Sequence, residues 1–327
     1  MISEFTDAVD DGTVDQIHNH RQNRHTHLLV LREVTAPARF TTDGETVNTT
    51  TIRTGDPERE TAEIRAVELF NRKQPGAERR IAKSVQRDLL AHEGEVCTED
   101  YMHPNEMRQN SPESVLFGSA AGNQGVSQRS RVYYNTAYSL RDASRIVRQN
   151  TQTAAGDESR MDSSEGQGTW TPDFVQPGAL LPSVVTLDSA VPQEVLFVLA
   201  VLSRTTRYGA NETRGGNVRN HVLGAYAGRG DGPANLEVAR QTVSELADER
   251  GESVAEVVDA RTFDTGTVQT ATRAGYEELL DRRGLSFASV DDDVLESTVS
   301  ALQDDDTLQE VMEEQFDAVQ AYVEREA

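Results

Sequence analysis

Lysine is nearly absent from this chain: of its 32 basic residues only Lys73 and Lys83 are lysine, and the rest are arginine. Cysteine occurs once, as Cys97, which excludes an intramolecular disulfide framework. There is one tryptophan, and aromatic residues make up only 6% of the chain. Long apolar runs are missing too. The longest, Val195 to Leu202, falls far short of the ~20 residues that a membrane-crossing helix needs, and it reads as a buried helix. Met1 to Gly12 carries Glu4, Asp7, Asp10 and Asp11 and no apolar stretch, so it does not read as a signal peptide. A soluble, cytoplasmic protein with no membrane partner is expected.

What the chain has in excess is acid. Its 327 residues include 55 Asp and Glu, for a formal net charge of -23. Many carboxylates, almost no lysine and a modest hydrophobic content of 36% suit a protein that stays hydrated in strong salt. A halophilic archaeal cytoplasm is the expected setting.

In so acidic a chain the informative feature is where positive charge gathers. Arg65 to Arg87 carries a net +5, Arg129 to Arg148 a net +4 and Arg204 to Arg229 a net +4. Three such islands could converge on a polyanion groove, or could be ordinary solvated and salt-bridged surfaces. In molar salt the Debye length shrinks to ~3 Å, so close, directional guanidinium contacts would have to carry binding.

Local patterns place the elements coarsely. Residues Met1 to Asn23 read as a polar lead-in. His27 to Thr35 is a strand candidate, and Phe40 to Ile52 reads as a hairpin turning at Asp43-Gly44. Ile64 to Phe70 suits a strand ended by Pro75-Gly76, and Glu78 to Leu90 an amphipathic helix with Ile81, Val85, Leu89 and Leu90 on one stripe. Arg131 to Leu140, Ala179 to Leu187 and Asn217 to Tyr226 are further strands, and Pro192 opens a helix through Leu202. Beyond Asn235 the pattern is helical. Leu308, Val311, Met312, Phe316, Val319, Tyr322 and Val323 recur at helical spacing in an acidic region expected to be solvated. This order predicts an α+β fold with a ferredoxin-like (RRM-like) core, large insertions and a helical C-terminal region. The expected divisions are a polar segment at 1–25, the core at 26–234 and acidic helices at 235–327.

The segment Leu202 to Tyr226, LSRTTRYGANETRGGNVRNHVLGAY, carries the most chemistry. Arg204, Arg207, Arg214 and Arg219 alternate with Gly209, Gly215 and Gly216, a composition that lets backbone N–H groups approach phosphates. Tyr208 offers a flat face to a base, and Asn217, Arg219 and His221 share one face of the following strand. The segment is an RNA-backbone cradle or a glycine-rich hairpin with solvated arginines.

Ser203 to His221, SRTTRYGANETRGGNVRNH, resembles the signature of the backbone subunit of type I-D CRISPR effector complexes, of the Cas-seven-type RAMP superfamily. Three further stretches agree in order: Asn71 to Arg80 (NRKQPGAERR), Asn135 to Ser139 (NTAYS) and Leu181 to Leu187 (LPSVVTL). The resemblance spans roughly Leu28 to Gly228. It implies an RRM-like subunit that polymerises along the spacer of a guide RNA (crRNA), with a thumb-like hairpin reaching its neighbour. The spacer would stay open for pairing with target DNA, leaving sequence to base pairing. Implied partners are the crRNA, target DNA through the guide, other copies of the chain, and the large Cas-ten-like, Cas-five-type and Cas-six-type subunits. The implied RNA-binding set is Arg72, Lys73, Gln74, Arg79, Arg80, Asn135, Arg204, Arg207, Tyr208, Gly209, Arg214, Gly215, Gly216, Arg219, Asn220 and His221. Residues 149–176 would hold the thumb.

The chain departs from the resembled pattern at one place. Relatives often carry a cysteine-rich zinc knuckle, expected here within 93–125. Cys97 remains, but Ser111-Pro112-Glu113-Ser114 stands where a Cys-Pro-x-Cys pair would be. His92, Cys97 and His103 lack an evident fourth ligand, so no zinc or other cofactor is expected. Asp157, Asp162 and Asp173 lie in or near the thumb, where a target-cleaving aspartate would sit, and they read as solvated charges. His18, His20, His25 and His27 lack a partner set. Two other readings remain: a RAMP ribonuclease, for which His221 with Tyr208 is the one pair to propose, and a polyanion-binding regulator.

Overall fold

Apolar residues fill nearly every position from Leu28 to Val34, which suits a strand covered on both faces, and this run lies in the middle of a five-stranded antiparallel sheet. The computed structural model describes residues 2–42, 46–103, 106–120, 127–153, 169–209 and 216–326. Asp43-Gly44 therefore lies outside the described residues.

In chain order, helix α1 (Ile2–Ala8) leads into strands β1 (His25–Val34), β2 (Thr49–Thr54) and β3 (Ala62–Leu69). Helix α2 (Lys73–Leu89) follows, then short helices α3 (Glu95–Thr98) and α4 (Pro112–Phe117), strands β4 (Val132–Tyr134) and β5 (Ala137–Tyr138), and one turn of helix, α5 (Ala143–Ile146). Strands β6 (Val147–Gln149), β7 (Gln152–Thr153), β8 (Thr169–Trp170) and β9 (Asp173–Val175) precede β10 (Leu180–Asp188), helix α6 (Pro192–Arg204) and β11 (Val218–Gly228). The remainder is helical: α7 (Asn235–Arg250), α8 (Val254–Val258), α9 (Thr265–Arg283), the two-residue strand β12 (Ala288–Ser289), α10 (Asp292–Ala301) and α11 (Asp305–Glu326).

The fold is mixed α+β with antiparallel sheets and a helical C-terminal region. Its main sheet runs β12-β11-β1-β10-β4. The register pairs Leu28 with Val185 and Leu29 with Val184, so successive residues of β1 enter opposite layers. Leu28, Val30, Val185 and Leu187 pack with α6 and with Phe316 and Met312 of α11. Leu29, Leu31, Val184 and Tyr226 pack with Val243, Leu246 and Tyr276 of α7 and α9. Both faces of the sheet are thus covered by helices, and a ligand must approach its edges or the helix ends.

Several expectations are corrected here. The acidic C-terminal helices are not a solvated appendage: Leu308, Met312 and Val319 are fully buried. The lead-in is not merely polar either, because Phe5, Val9 and Ile17 enter the core. The expected hairpin at Phe40 to Ile52 has its turn outside the described residues, with the Asn48 N–H donating to the Phe40 carbonyl at 2.8 Å, and its second arm continues into β2, which pairs with β3, Ile52 opposite Ile64. Helix α2 starts at Lys73, with Pro75 and Gly76 inside its first turn; proline gives up no intrahelical bond there. Arg131 to Leu140 splits into β4 and β5, which belong to different sheets. The expected thumb region leaves the body through antiparallel pairs, β6 with β9 and β7 with β8; Asp157 and Asp162 are outside the described residues. No helix among the described residues is long and apolar enough to cross a membrane.

Candidate nucleic-acid interface

Tyr208, expected to offer its ring to a base, is completely buried. Its hydroxyl is a junction. It donates to Glu78 Oε1 at 2.8 Å and accepts from Arg32 Nη1 at 2.8 Å and Asn220 Nδ2 at 2.9 Å. Arg32 also donates to Asn220 Oδ1 at 2.9 Å and Ser183 Oγ at 3.0 Å, and its Nη2 lies 3.0 Å from Glu78 Oε1. Tyr134 donates to Glu78 Oε2 at 2.5 Å. Burial, and then the neighbouring carboxylate, pushes the Tyr134 phenol well above its ordinary pKa, so it stays protonated and donates. This knot joins β1, α2, β4, β10 and β11 to the loop after α6. Its physical cost is a buried charge pair, offset by the hydrogen bonds among its members, although Arg32 Nη2 has only the ion pair with Glu78 and no hydrogen bond.

The knot has a geometric consequence. The block Asn71 to Arg80 and the loop at Tyr208 are adjacent, since Glu78 belongs to α2. On the segments that the knot joins, Arg72, Arg80, Arg207 and Arg219 are exposed and Lys73 is half-buried, and none forms an ion pair with a described residue. On α2 the buried positions Gln74, Ala77, Glu78, Ala82 and Lys83 leave Arg72 and Arg80 outward.

Other expected contact residues are engaged internally. Gln74 is buried and donates to the Leu69 and Asn135 carbonyls at 3.0 and 2.8 Å. Asn135 itself is exposed. Arg79 pairs with Glu113 at 2.5 Å and donates to the Gly118 carbonyl at 2.7 Å. Arg204 reaches the Gln303 carbonyl and Asp305 at 3.3 and 3.4 Å. Asn220 is spent on the knot. Gly209 has φ +112°, and a Cβ there would meet the Arg39 carbonyl oxygen at 2.4 Å, so its close backbone approach is to the protein itself. Gly216 is exposed, and its carbonyl accepts from Thr35 Oγ1 at 2.6 Å. Arg214 and Gly215 lie outside the described residues. His221 Nε2 lies 2.7 Å from Glu33 Oε2, and Tyr208 is committed elsewhere, so these two do not assemble into an acid–base pair. Asp173 accepts from the Val47 N–H at 3.2 Å.

The region of the expected knuckle is built around an ammonium group. Lys83 Nζ lies 2.6 Å from both Asp100 Oδ2 and Glu113 Oε2. Ser111 and Ser114 donate to Asp100 at 2.5 and 3.1 Å, and Gln86 Oε1 accepts from the Glu113 N–H at 2.9 Å. All six residues are buried. Cys97 is buried too; burial first, then Glu93 and Asp100, push its thiol up to about 12. His92 faces Glu93 and Glu313 at 3.4 and 3.3 Å, and His103 is exposed. A zinc ion needs deprotonated sulfur or neutral imidazole converging on one point, and these residues do not fit that need. Among the described residues no group of three or more His, Cys, Asp or Glu is arranged to hold a metal.

Tyr133, overlooked in the sequence, is 44% exposed and lines two clefts. One, about 440 Å³, includes Asn71, Arg72, Arg79 and Met102; the other, about 1000 Å³, includes His20, Arg21, Gln128 and Arg129. Among the described residues the first is lined by no carboxylate side chain and the second by one, Glu326. A third cleft of about 730 Å³ lies between β11 and helices α9 and α10, where Arg219 and Arg273 share walls with Glu277, Asp292 and Glu296.

The family model described as Csc2 Crispr matches residues 14–313 of the chain. The crystal structure of Thermofilum pendens Csc2 superposes with a TM-score of 0.55 at 16% sequence identity, covering 93% of this chain and 90% of that one. No curated protein sequence matches.

Proposed function

The chain belongs to the Csc2 family of CRISPR Cascade subunits, and from that premise we propose that it is the crRNA-binding backbone subunit of a type I-D surveillance complex. Copies polymerise along the guide spacer and present it for pairing with target DNA, beside large, Cas-five-type and Cas-six-type subunits in a halophilic cytoplasm. The connectivity strand–helix–strand–strand–helix–strand through β1, α2, β4, β10, α6 and β11, with β11-β1-β10-β4 as neighbours, supports a ferredoxin-like core. The paired strands at the root of residues 149–176 suit a thumb-like hairpin. The knuckle is metal-free, its place taken by Lys83 and its two carboxylates.

One observation carries the reading. In a protein of net charge -23, Arg72, Arg80, Arg207 and Lys73 belong to the two segments that one buried knot holds together, and none has an ion-pair partner among the described residues. Unneutralised guanidinium groups in so acidic a molecule suit a phosphate chain, which they grip bidentately at short range. Purification in molar KCl tests it. The proposal predicts large assemblies containing RNA of discrete length; a monomer free of RNA when expressed with a CRISPR array and the other subunits would refute it.

A further inference from the structure

We propose that Tyr133 is a stacking platform for one nucleobase of a single-stranded nucleic acid, whose phosphates meet Arg72 on one side of the ring and Arg129 on the other. This rests on the guide-RNA reading and adds where a base is held.

Strand β4 lies at the edge of the main sheet. Its alternation turns Val132 and Tyr134 inward and leaves Tyr133 out. The exposed ring is not loose. Its hydroxyl donates to Asp188 Oδ2 at 3.2 Å, and Asp188 is itself held by Ser189 Oγ at 2.8 Å and lies 3.5 Å from Arg21 Nε. A flat face fixed in advance loses little conformational freedom on stacking.

Tyr133 is also the residue shared by the two clefts, so a chain running from one to the other crosses its ring. Arg72 and Arg129 are exposed and without ion pairs among the described residues, one in each cleft. Acidic residues are one in six of the chain, yet among the described residues the two clefts together show a single carboxylate side chain, Glu326, which accepts from Asn19 at 2.7 Å. That depletion favours a polyanion over a protein partner for the exposed Tyr133 and Met102. Stacking also suits strong salt, where long-range attraction to phosphate is screened within ~3 Å.

The test compares binding of a fluorescein-labelled oligouridylate and of an abasic ribose-phosphate oligomer of equal length to the full chain in molar KCl. Tyr133→Ala should weaken oligouridylate binding by roughly ten- to hundred-fold and leave the abasic oligomer unchanged. Tyr133→Phe, which keeps the ring, should bind nearly as wild type, and thiouridine-substituted RNA should cross-link to Tyr133. Wild-type binding with an unaffected Tyr133→Ala variant would overturn this proposal alone. Loss of assembly without loss of RNA affinity would also overturn it, reassigning the ring to a protein contact. Failure of the wild type to bind either oligomer would instead overturn the guide-RNA reading.

Discussion

The clefts that hold the exposed Arg72 and the exposed Arg219 differ in what surrounds the arginine. Beside α2, Arg72 opens into a cleft next to Tyr133 that no carboxylate side chain lines among the described residues. Between β11 and α9, Arg219 shares its cleft with Glu277, Asp292 and Glu296, and Arg273 is already paired with Asp292. Both arginines belong to basic islands of similar net charge. What separates them is the charge that tertiary structure brings across from distant segments. On the proposed function, an arginine cluster serves a polyanion only where folding keeps carboxylates away.

The largest effect is expected at the knot that keeps α2 and the Tyr208 loop together. Glu78→Gln leaves the Arg32 guanidinium buried without a countercharge and should destabilise the chain by roughly 3–5 kcal/mol, read from denaturant midpoints in molar KCl. A change under about 1 kcal/mol would mean that the knot is solvated and does not fix the two segments.

Below that comes a pH effect on the sheet itself. His27 is buried, with Nδ1 2.9 Å from Thr186 Oγ1 and Nε2 3.2 Å from the Gly230 carbonyl, and burial lowers its pKa to about 4. The carbonyl calls for a protonated Nε2, so Nδ1 accepts from the threonine. Above about pH 6.5 the ring is neutral folded or unfolded. Below it the unfolded chain takes up a proton that the folded chain refuses, so stability falls as pH drops toward about 4, by about 2 kcal/mol at pH 5. Because carboxylates titrate in both proteins, the difference between wild type and His27→Gln isolates this effect. Parallel stability profiles for the two would contradict it.

Tyr208→Phe removes the hydroxyl at the junction and should cost roughly 1–3 kcal/mol while leaving RNA affinity within about threefold once folded, a difference of under 1 kcal/mol. A large loss of affinity in a fully folded variant would restore Tyr208 to the interface. The smallest effect is expected at the acidic cleft. Arg219→Glu adds one carboxylate to three and should lower RNA affinity by less than about fivefold, about 1 kcal/mol.

Much of the sheet was legible because strands covered on both faces have a simple signature. His27 to Thr35 and Ala179 to Leu187 are apolar in runs, and β1 and β10 lie there; Asn217 to Tyr226, polar through His221 and apolar from Val222, holds β11. Helix α6 followed from Pro192 and eight apolar positions. Pro75-Gly76 misled, because the same pair that ends a strand is harmless in a helix's first turn. The packing of α7 on α9 was hidden for another reason. Each helix carries an apolar stripe, but which stripes meet is set by tertiary structure, and the close approach at Gly275, where a Cβ would come 3.0 Å from Gln241, has no signature in periodicity. At the site, Tyr208 drew attention through its neighbours Arg207 and Gly209, yet partners at Glu78 and Arg32 commit its hydroxyl to the interior. Tyr133 sat in an apolar-looking stretch; alternation with Val132 and Tyr134 was the one local hint that it faces outward. Lys83, one of two lysines, marked a place where a compact charge serves two carboxylates.

The most direct measurement is the RNA content of complexes assembled with Arg72→Glu/Arg80→Glu and, in parallel, with Arg219→Glu, purified in molar KCl. The double variant should lose its RNA, an affinity loss of about a hundredfold or more, while the single variant retains most of it. Equal retention by both, or loss only with Arg219→Glu, would contradict the assignment of the guide path to the carboxylate-free side.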